Sequence, residues 1–225
     1  MHLKIYLPIL LALALFFSAF KGNPTTTQQD AGFLKNGENA PTFVTKDVLG
    51  NKVHLKKMLK NSNVLLTFLR PAWCPICNAR THELIESYEE MKKQGYEIIA
   101  VYPSTSEELK GYVKDLNIPF TVIADPEEEL YRLYKVERSK DKFERTLKEE
   151  KALKAIDRGK KLYEKHGNDY GGLQNVEEPI IPADFVLNKG EQKIQTAYYG
   201  AYIGDHMNIR DMQNDKAAKG GSARF

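Results

Sequence analysis

Two cysteines are the residues of this chain whose type and spacing best suit chemistry. Cys74 and Cys77 lie in the run Arg70-Pro71-Ala72-Trp73-Cys74-Pro75-Ile76-Cys77. A thiolate attacks peroxides and disulfides, and a second thiol within reach captures the product as a disulfide. Proline is favoured at the first helical position, so Pro75 makes Cys74 the cap of a helix predicted to run from Pro75 to Lys93. The orphan N–H groups of the first turn and the positive end of the helix dipole then face the Cys74 sulfur and favour thiolate. Arg70 adds positive charge if its side chain turns toward the site. Cys77, Thr81, Leu84, Tyr88 and Met91 recur at helical spacing on one face. That face carries the apolar residues, so Cys77 is expected to be the shielded partner and Cys74 the exposed nucleophile. Three residues apart on a first turn, their Cα atoms fall within the roughly 4.4–6.8 Å that a disulfide needs.

Other uses of the pair are weaker. A structural disulfide closing so short a loop stabilises little by chain entropy. A zinc site needs two more ligands; His82 is near in sequence, but no second C-x-x-C or H-x-x-x-H exists. Haem attachment needs His after the second cysteine, where this chain has Asn78. The reading asks for no metal and no cofactor. His82 and His206 read as ordinary helix or surface histidines, and Trp73 as a packing residue beside the dithiol.

The surrounding elements follow from pattern. Val64 to Leu69 is an apolar run of strand length, residues 97–102 form a second and residues 120–124 a third. Ser104 is expected to cap a helix reaching about Leu116. A short helix follows Asp125-Pro126 and ends near Tyr134. Strands alternating with such helices indicate an α/β fold with a largely parallel sheet. Residues 137–178 break the alternation. A Lys/Glu/Leu/Ala-rich stretch at 142–166 carries Phe143, Leu147, Leu153 and Ile156 on a stripe, with Gly159 interrupting and Gly167 and Gly171-Gly172 stopping it. It reads as an inserted, mostly solvated helix. Residues 183–187 and 193–198, joined by Asn188-Lys189-Gly190, read as a hairpin.

The whole chain has 225 residues, 42% hydrophobic and 28% charged, with a formal net charge of +3. That suits one decorated globular domain. Lys4 and Lys21 supply two of the charges, and no Lys/Arg-rich run suggests nucleic-acid binding. Residues 5–20 are uncharged after a basic start; sixteen residues in a helix span about 24 Å, short of a roughly 30 Å hydrocarbon core. Residues 1–22 therefore read as an export signal or N-terminal anchor, the only expected membrane contact. Residues 23–36 read as a linker, with ordered chain from near Pro41, and residues 213–225 as a disordered tail. The expected location is outside the cytoplasm, periplasmic or secreted, where cysteines are usually paired.

The run Gly37-Glu38-Asn39-Ala40-Pro41-Thr42-Phe43, followed by Asp47 and Gly50, resembles the entry to redoxins of the alkyl hydroperoxide reductase/thiol-specific antioxidant group. Leu69 to Cys77 is similar to the R-G-x-W-C-P-x-C signature of its peroxiredoxin-like branch, with Pro71 in place of glycine. The run Ile181-Pro182-Ala183-Asp184-Phe185-Val186-Leu187 resembles the proline-led strand of thioredoxin folds. The likeness spans residues 37–212. It implies a thioredoxin-like three-layer sandwich with a mixed sheet and an inserted helix before that strand. It further implies a cis Pro182 facing the cysteines, and faintly an arginine role at Arg210. The implied activity is reduction of hydroperoxides through Cys74, with Cys77 resolving it as a redox-active disulfide and an external, thioredoxin-like thiol reducing the pair. Exchange with protein disulfides through the same cysteines is the alternative, and a redox-silent binding protein is a third reading. Typical peroxiredoxins place proline seven and threonine or serine three residues before the nucleophile. Those positions hold Thr67 and Pro71, so the usual peroxide-polarising hydroxyl is missing.

Overall fold

A computed structural model describes residues 32–165 and 178–213. The central sheet is mixed, in the order β5-β4-β3-β6-β7. β3 (Asn63–Phe68), β4 (Tyr96–Tyr102) and β5 (Thr121–Ala124) run parallel, while β6 (Ala183–Leu187) and β7 (Ile194–Tyr199) add antiparallel strands beyond β3. Side chains alternate strictly between its faces. Leu65, Leu69, Ile98, Ala100 and Tyr102 enter the core on one side. Val64, Leu66, Phe68, Ile99 and Val101 enter that on the other. Both faces are covered, which is why β3 and β4 read as unbroken apolar runs.

The first face carries α2 (Pro75–Lys93), α3 (Ser106–Asp115) and α6 (Glu150–Lys165). Opposite lie the small hairpin β1 (Val44–Lys46) and β2 (Lys52–His54), α1 (Leu55–Met58) and α4 (Glu129–Leu133). α5 (Lys140–Thr146) leads into α6, and α7 (Ile209–Gln213) follows the sheet. This is the expected three-layer thioredoxin-like sandwich. Cys77, Thr81, Leu84, Tyr88 and Met91 are all buried on α2, as their spacing requires. The cap of α3 is Thr105, one residue beyond the expected Ser104. Its hydroxyl accepts the Glu108 N–H while the Glu108 carboxylate accepts the Thr105 N–H, a reciprocal capping box.

Three further expectations change. The inserted helix is two helices, and the expected stripe is half buried: Ile156 enters the core and Phe143 packs against it, whereas Leu147 and Leu153 are exposed. Ala152 and Gly159 join Ile156 on the inward face, and α6 packs along α2. Gly159 does not interrupt α6. A Cβ there would lie 1.8 Å from the Pro75 carbonyl oxygen, so glycine permits close approach of the two backbones. The insertion is therefore packed on the cysteine helix along one face, while most of its other described residues are exposed, as expected. Its stem is pinned where the Ile181 N–H bonds Glu137 O and the Ser139 N–H bonds Pro179 O. Order also starts before Pro41: the Gly37 N–H bonds Ile194 O, and Asn36 Oδ1 accepts the Ala197 N–H, docking this segment along β7. Finally, no described peptide bond is cis, so Pro182 leads β6 through a trans bond, the form favoured by about 0.5–1 kcal/mol for X-Pro.

The expected signal or anchor at 1–22, most of the linker, the glycines at 167, 171 and 172 and the tail from 214 lie outside the described residues. No helix among the described residues is long and apolar enough to cross a membrane.

Candidate active site

The turn from β3 into α2 builds the site. The Cys74 N–H bonds Pro71 O at 2.9 Å, and Cys74 O accepts the first helical bond, from Asn78, at 3.0 Å. Cys74 is the cap residue in extended conformation (φ −76°, ψ 120°), with Pro75 opening the helix as predicted. Both thiols are free. Arg70 turns inward: its Nη1 donates to Cys74 Sγ at 3.4 Å and its backbone N–H to Cys77 Sγ at 3.3 Å. One arginine thus touches both sulfurs.

The two thiols are driven apart in acidity. A hydrogen bond from the Cys77 side chain, the Arg70 charge and the N–H groups of Cys77 and Ile76 outweigh burial and lower Cys74 from 9.0 to about 6. Burial, then the neighbouring Cys74, raises Cys77 well above the ordinary thiol range. The surroundings thus favour ionisation of Cys74 over Cys77.

Exposure corrects the sequence reading. Cys74 is 0% exposed and Cys77 1%, so Cys74 is as enclosed as Cys77. Helical periodicity distinguishes faces of α2 but is blind to what distant segments place over its mouth. Here Gly159 of α6 seats on Pro75, and a Cβ at Gly204 would meet Ile76 Cγ2 at 2.4 Å. A substrate reaches Cys74 only when covering residues shift.

Trp73 is half-buried and forms, with Pro71, Pro103 and Pro179, the apolar wall of a cleft of about 150 Å³. Arg70 and the Glu128–Arg138 ion pair supply its charge. A broader, open depression of about 480 Å³ lies on α6 around Lys154, Arg158 and Lys161 and includes none of the cysteine segment. Pro182 is buried, and its carbonyl accepts the Gly200 N–H at 2.9 Å. Arg210 is exposed and its N–H bonds Asn208 Oδ1, so the structure does not bring its side chain into the buried site.

Sequence reasoning missed a second charged cluster. Asp184 on β6 is fully buried. It accepts from Thr67 Oγ1 at 2.6 Å, from the Met207 N–H at 2.7 Å and from Arg80 Nη2 at 3.5 Å. His206 Nδ1 lies 3.1 Å from Asp184 Oδ1 with its side chain 4% exposed, so His206 is not the surface histidine it was read as. Burial alone would raise the Asp184 carboxyl, but the charges of His206 and Arg80 and hydrogen bonds from His206 and Thr67 hold it well below the usual carboxylate range. The available signal was an acid inside the apolar run at 180–187.

A thioredoxin-like sheet with C-x-x-C at the mouth of its first long helix defines the class of thiol peroxidases and disulfide oxidoreductases. Comparison with known proteins narrows this: residues 36–195 match the AhpC/TSA family, and the chain belongs to it. Peroxiredoxin Q, chloroplastic, of Sedum lineare is 31% identical over 110 residues, 48% of this chain and 59% of that protein's length. The thiol-disulfide oxidoreductase ResA of Bacillus thuringiensis subsp. konkukian (strain 97-27) is 30% identical over 134 residues, 59% of this chain and 74% of its own. Among solved structures, peroxidoxin BcpB of Mycobacterium tuberculosis shares the fold with a TM-score of 0.55 at 14% identity, covering 82% of this chain and 94% of that one. Peroxiredoxin 6 of Arenicola marina, solved as a mutant, gives 0.57 at 16% identity over 80% and 70%.

Proposed function

We propose that the chain is an exported, thiol-dependent peroxidase that uses Cys74 as nucleophile and Cys77 as resolving thiol. The observation that carries this reading is the placement of Cys74 at the cap of α2 with its Sγ 3.4 Å from Arg70 Nη1, an arrangement that lowers its pKa while burial raises that of Cys77. Cys74 attacks the outer oxygen of a hydroperoxide, the O–O bond breaks, and a sulfenic acid forms as the alcohol or water leaves. Cys77 condenses with the sulfenic acid, releasing water and leaving a Cys74–Cys77 disulfide. An external thiol reductant returns the pair to its starting state. Export rests on the uncharged run at 5–20.

The test is hydrogen peroxide consumption by the reduced chain lacking residues 1–23, recycled with a dithiol. The expected rate is far above that of an unactivated thiol and is abolished in Cys74→Ser. The similarity to ResA supports a second reading, exchange with protein disulfides through the same cysteines. A consumption rate no better than that of free thiol would transfer the assignment to it.

A further inference from the structure

The two residues between the cysteines are each held by a glycine, from two different segments. Gly159 of α6 lies against Pro75, where a Cβ would come within 1.8 Å of the carbonyl oxygen. Gly204 lies against Ile76, where a Cβ would meet Cγ2 at 2.4 Å. Cys74 and Cys77 share their core with Ala152 and Ile156 of α6 and with Ile203, so both segments help to enclose the dithiol. The two holds differ in strength. Residues 203–207 are tied to the sheet, because the buried Asp184 carboxylate accepts the Met207 N–H at 2.7 Å and lies 3.1 Å from His206 Nδ1. Among the described residues of α6, only Ala152, Ile156 and Gly159 are buried. Elements with few buried apolar contacts open at low free energy.

A few polar contacts complete the seat of α5 and α6. Asn78 Nδ2 donates to Gly159 O at 3.3 Å, Thr146 Oγ1 accepts the Ile203 N–H at 2.8 Å, and Lys142 Nζ donates to Gly200 O at 3.0 Å. Their root is pinned apart from these, through the bonds of the Ile181 and Ser139 N–H groups to Glu137 O and Pro179 O. Oxidation disturbs this arrangement. Both thiols are free, and joining them brings the sulfurs from hydrogen-bond contact to about 2.05 Å. The bond draws in the Cys74–Cys77 segment, whose middle residues lie against one fixed glycine and one movable one. Packed contacts switch between discrete arrangements rather than deform continuously.

We propose that α5 and α6 are a redox-sensitive cover, seated on Pro75 while the cysteines are a dithiol and released when they join as a disulfide. α2 stays wound and residues 203–207 stay tied to Asp184, so the displacement passes to α6. The oxidised pair is then uncovered for the thiol that reduces it, and reduction seats the cover again. The trigger is a two-electron oxidation. The S–S bond forms, and two electrons and two protons pass to the oxidant: a hydroperoxide, which leaves as alcohol and water, or a disulfide, which leaves as two thiols. Either oxidant closes the same bond, so the inference does not rest on the peroxidase reading.

The experiment is backbone hydrogen exchange of the full chain, read by mass spectrometry, in the dithiol form and in the disulfide form made with oxidised glutathione. Exchange across residues 150–165 should be about fivefold or more faster in the disulfide form, the lower end of ordinary coupling between sites. Residues 79–93 and 203–207 should not change. Equal protection of α6 in both forms, or loosening confined to the first turn of α2, would overturn the proposal. Reciprocity supplies the second measurement: if oxidation releases the cover, loosening the cover favours oxidation. Thr146→Val and Gly159→Ala weaken the seat at separate contacts and alter neither cysteine. In a glutathione redox buffer their equilibrium should move toward disulfide by about fivefold. A merely structural role lowers stability and leaves that equilibrium where it was. A constant unchanged in both variants, or moved toward dithiol, would overturn the coupling.

Discussion

Two buried charged groups sit on the α2 side of the sheet, and they are built to opposite specifications. Asp184 has four donors around its two oxygens, from β3, α2 and the segment before α7. Arg70 makes one contact to a sulfur with Nη1 and leaves Nε unsatisfied. The Asp184 carboxylate is fully satisfied and so fixes the packing around it, although Nε of Arg80 and Nε2 of His206 beside it are buried without a hydrogen-bond partner among the described residues; Arg70 instead spends its contacts on the two sulfurs. Asp184 therefore ties α2 and the Ile203–Met207 segment to the sheet, and Arg70 adds positive charge beside the Cys74 sulfur. The contrast is testable because the two groups should fail in different observables.

The largest loss of stability is expected from the locked group. Asp184→Asn takes the buried carboxylate away from Arg80, which keeps its 2.8 Å pair with half-exposed Glu83, and from His206 Nδ1, and should cost about 3–5 kcal/mol in denaturant unfolding. The pH dependence of Cys74 thiolate in the surviving folded protein should not move. Because the Asp184 carboxyl is depressed on folding, its contribution is complete above its ordinary value of 3.8 and fades only as pH falls through the much lower folded value. Wild type should thus outlast the variant most clearly above pH 4. A variant as stable as wild type would erase the distinction between the two groups.

The next effect tests whether the insertion belongs to the reactive region. Glycine to alanine inside a helix ordinarily stabilises by about 1 kcal/mol. Gly159→Ala should instead destabilise by about 1–3 kcal/mol, since the new Cβ would enter the Pro75 backbone and push α6 off α2. The sign of the change in melting temperature decides it.

What the sequence made legible follows from the range of the interactions. The strands, α2 and its buried face rest on patterns within single elements, and Cys74 as helix cap rests on the adjacent Pro75; all of these appear in the structure. The Asp184 cluster joins positions 104 and 117 residues apart, which no local period encodes, although an aspartate amid Ile, Ala, Phe and Val is a visible anomaly. Gly159 was legible as an irregularity but not as a contact, because its meaning lies in the backbone of Pro75 rather than in its own helix. The enclosure of Cys74 was hidden for the same reason. The inward turn of Arg70 was an open alternative in sequence terms, and only the packing of its side chain decides it.

The smallest effect on stability, and the sharpest on chemistry, is expected at Arg70. Removing a buried cation normally strands its partner, but the Cys74 thiolate can take up a proton, as Arg80 in the other cluster cannot shed one. Arg70→Met also removes the unpartnered Nε and keeps much of the apolar bulk, so stability near pH 5 should stay within about 1 kcal/mol of wild type. The thiolate absorbance titration should move the other way in size, with its midpoint rising clearly above the wild-type value of about 6. Since the Cys74 thiol is more acidic folded than unfolded, the reduced wild type gains stability as pH rises from about 6 toward 9 and loses it again on acidification through 6. That gain should shrink in Arg70→Met and be absent from the disulfide form, in which no thiol titrates. An Arg70→Met protein that titrates like wild type would place the thiolate under the control of the Cys77 thiol and the helix N–H groups alone. The arginine would then face the cleft only.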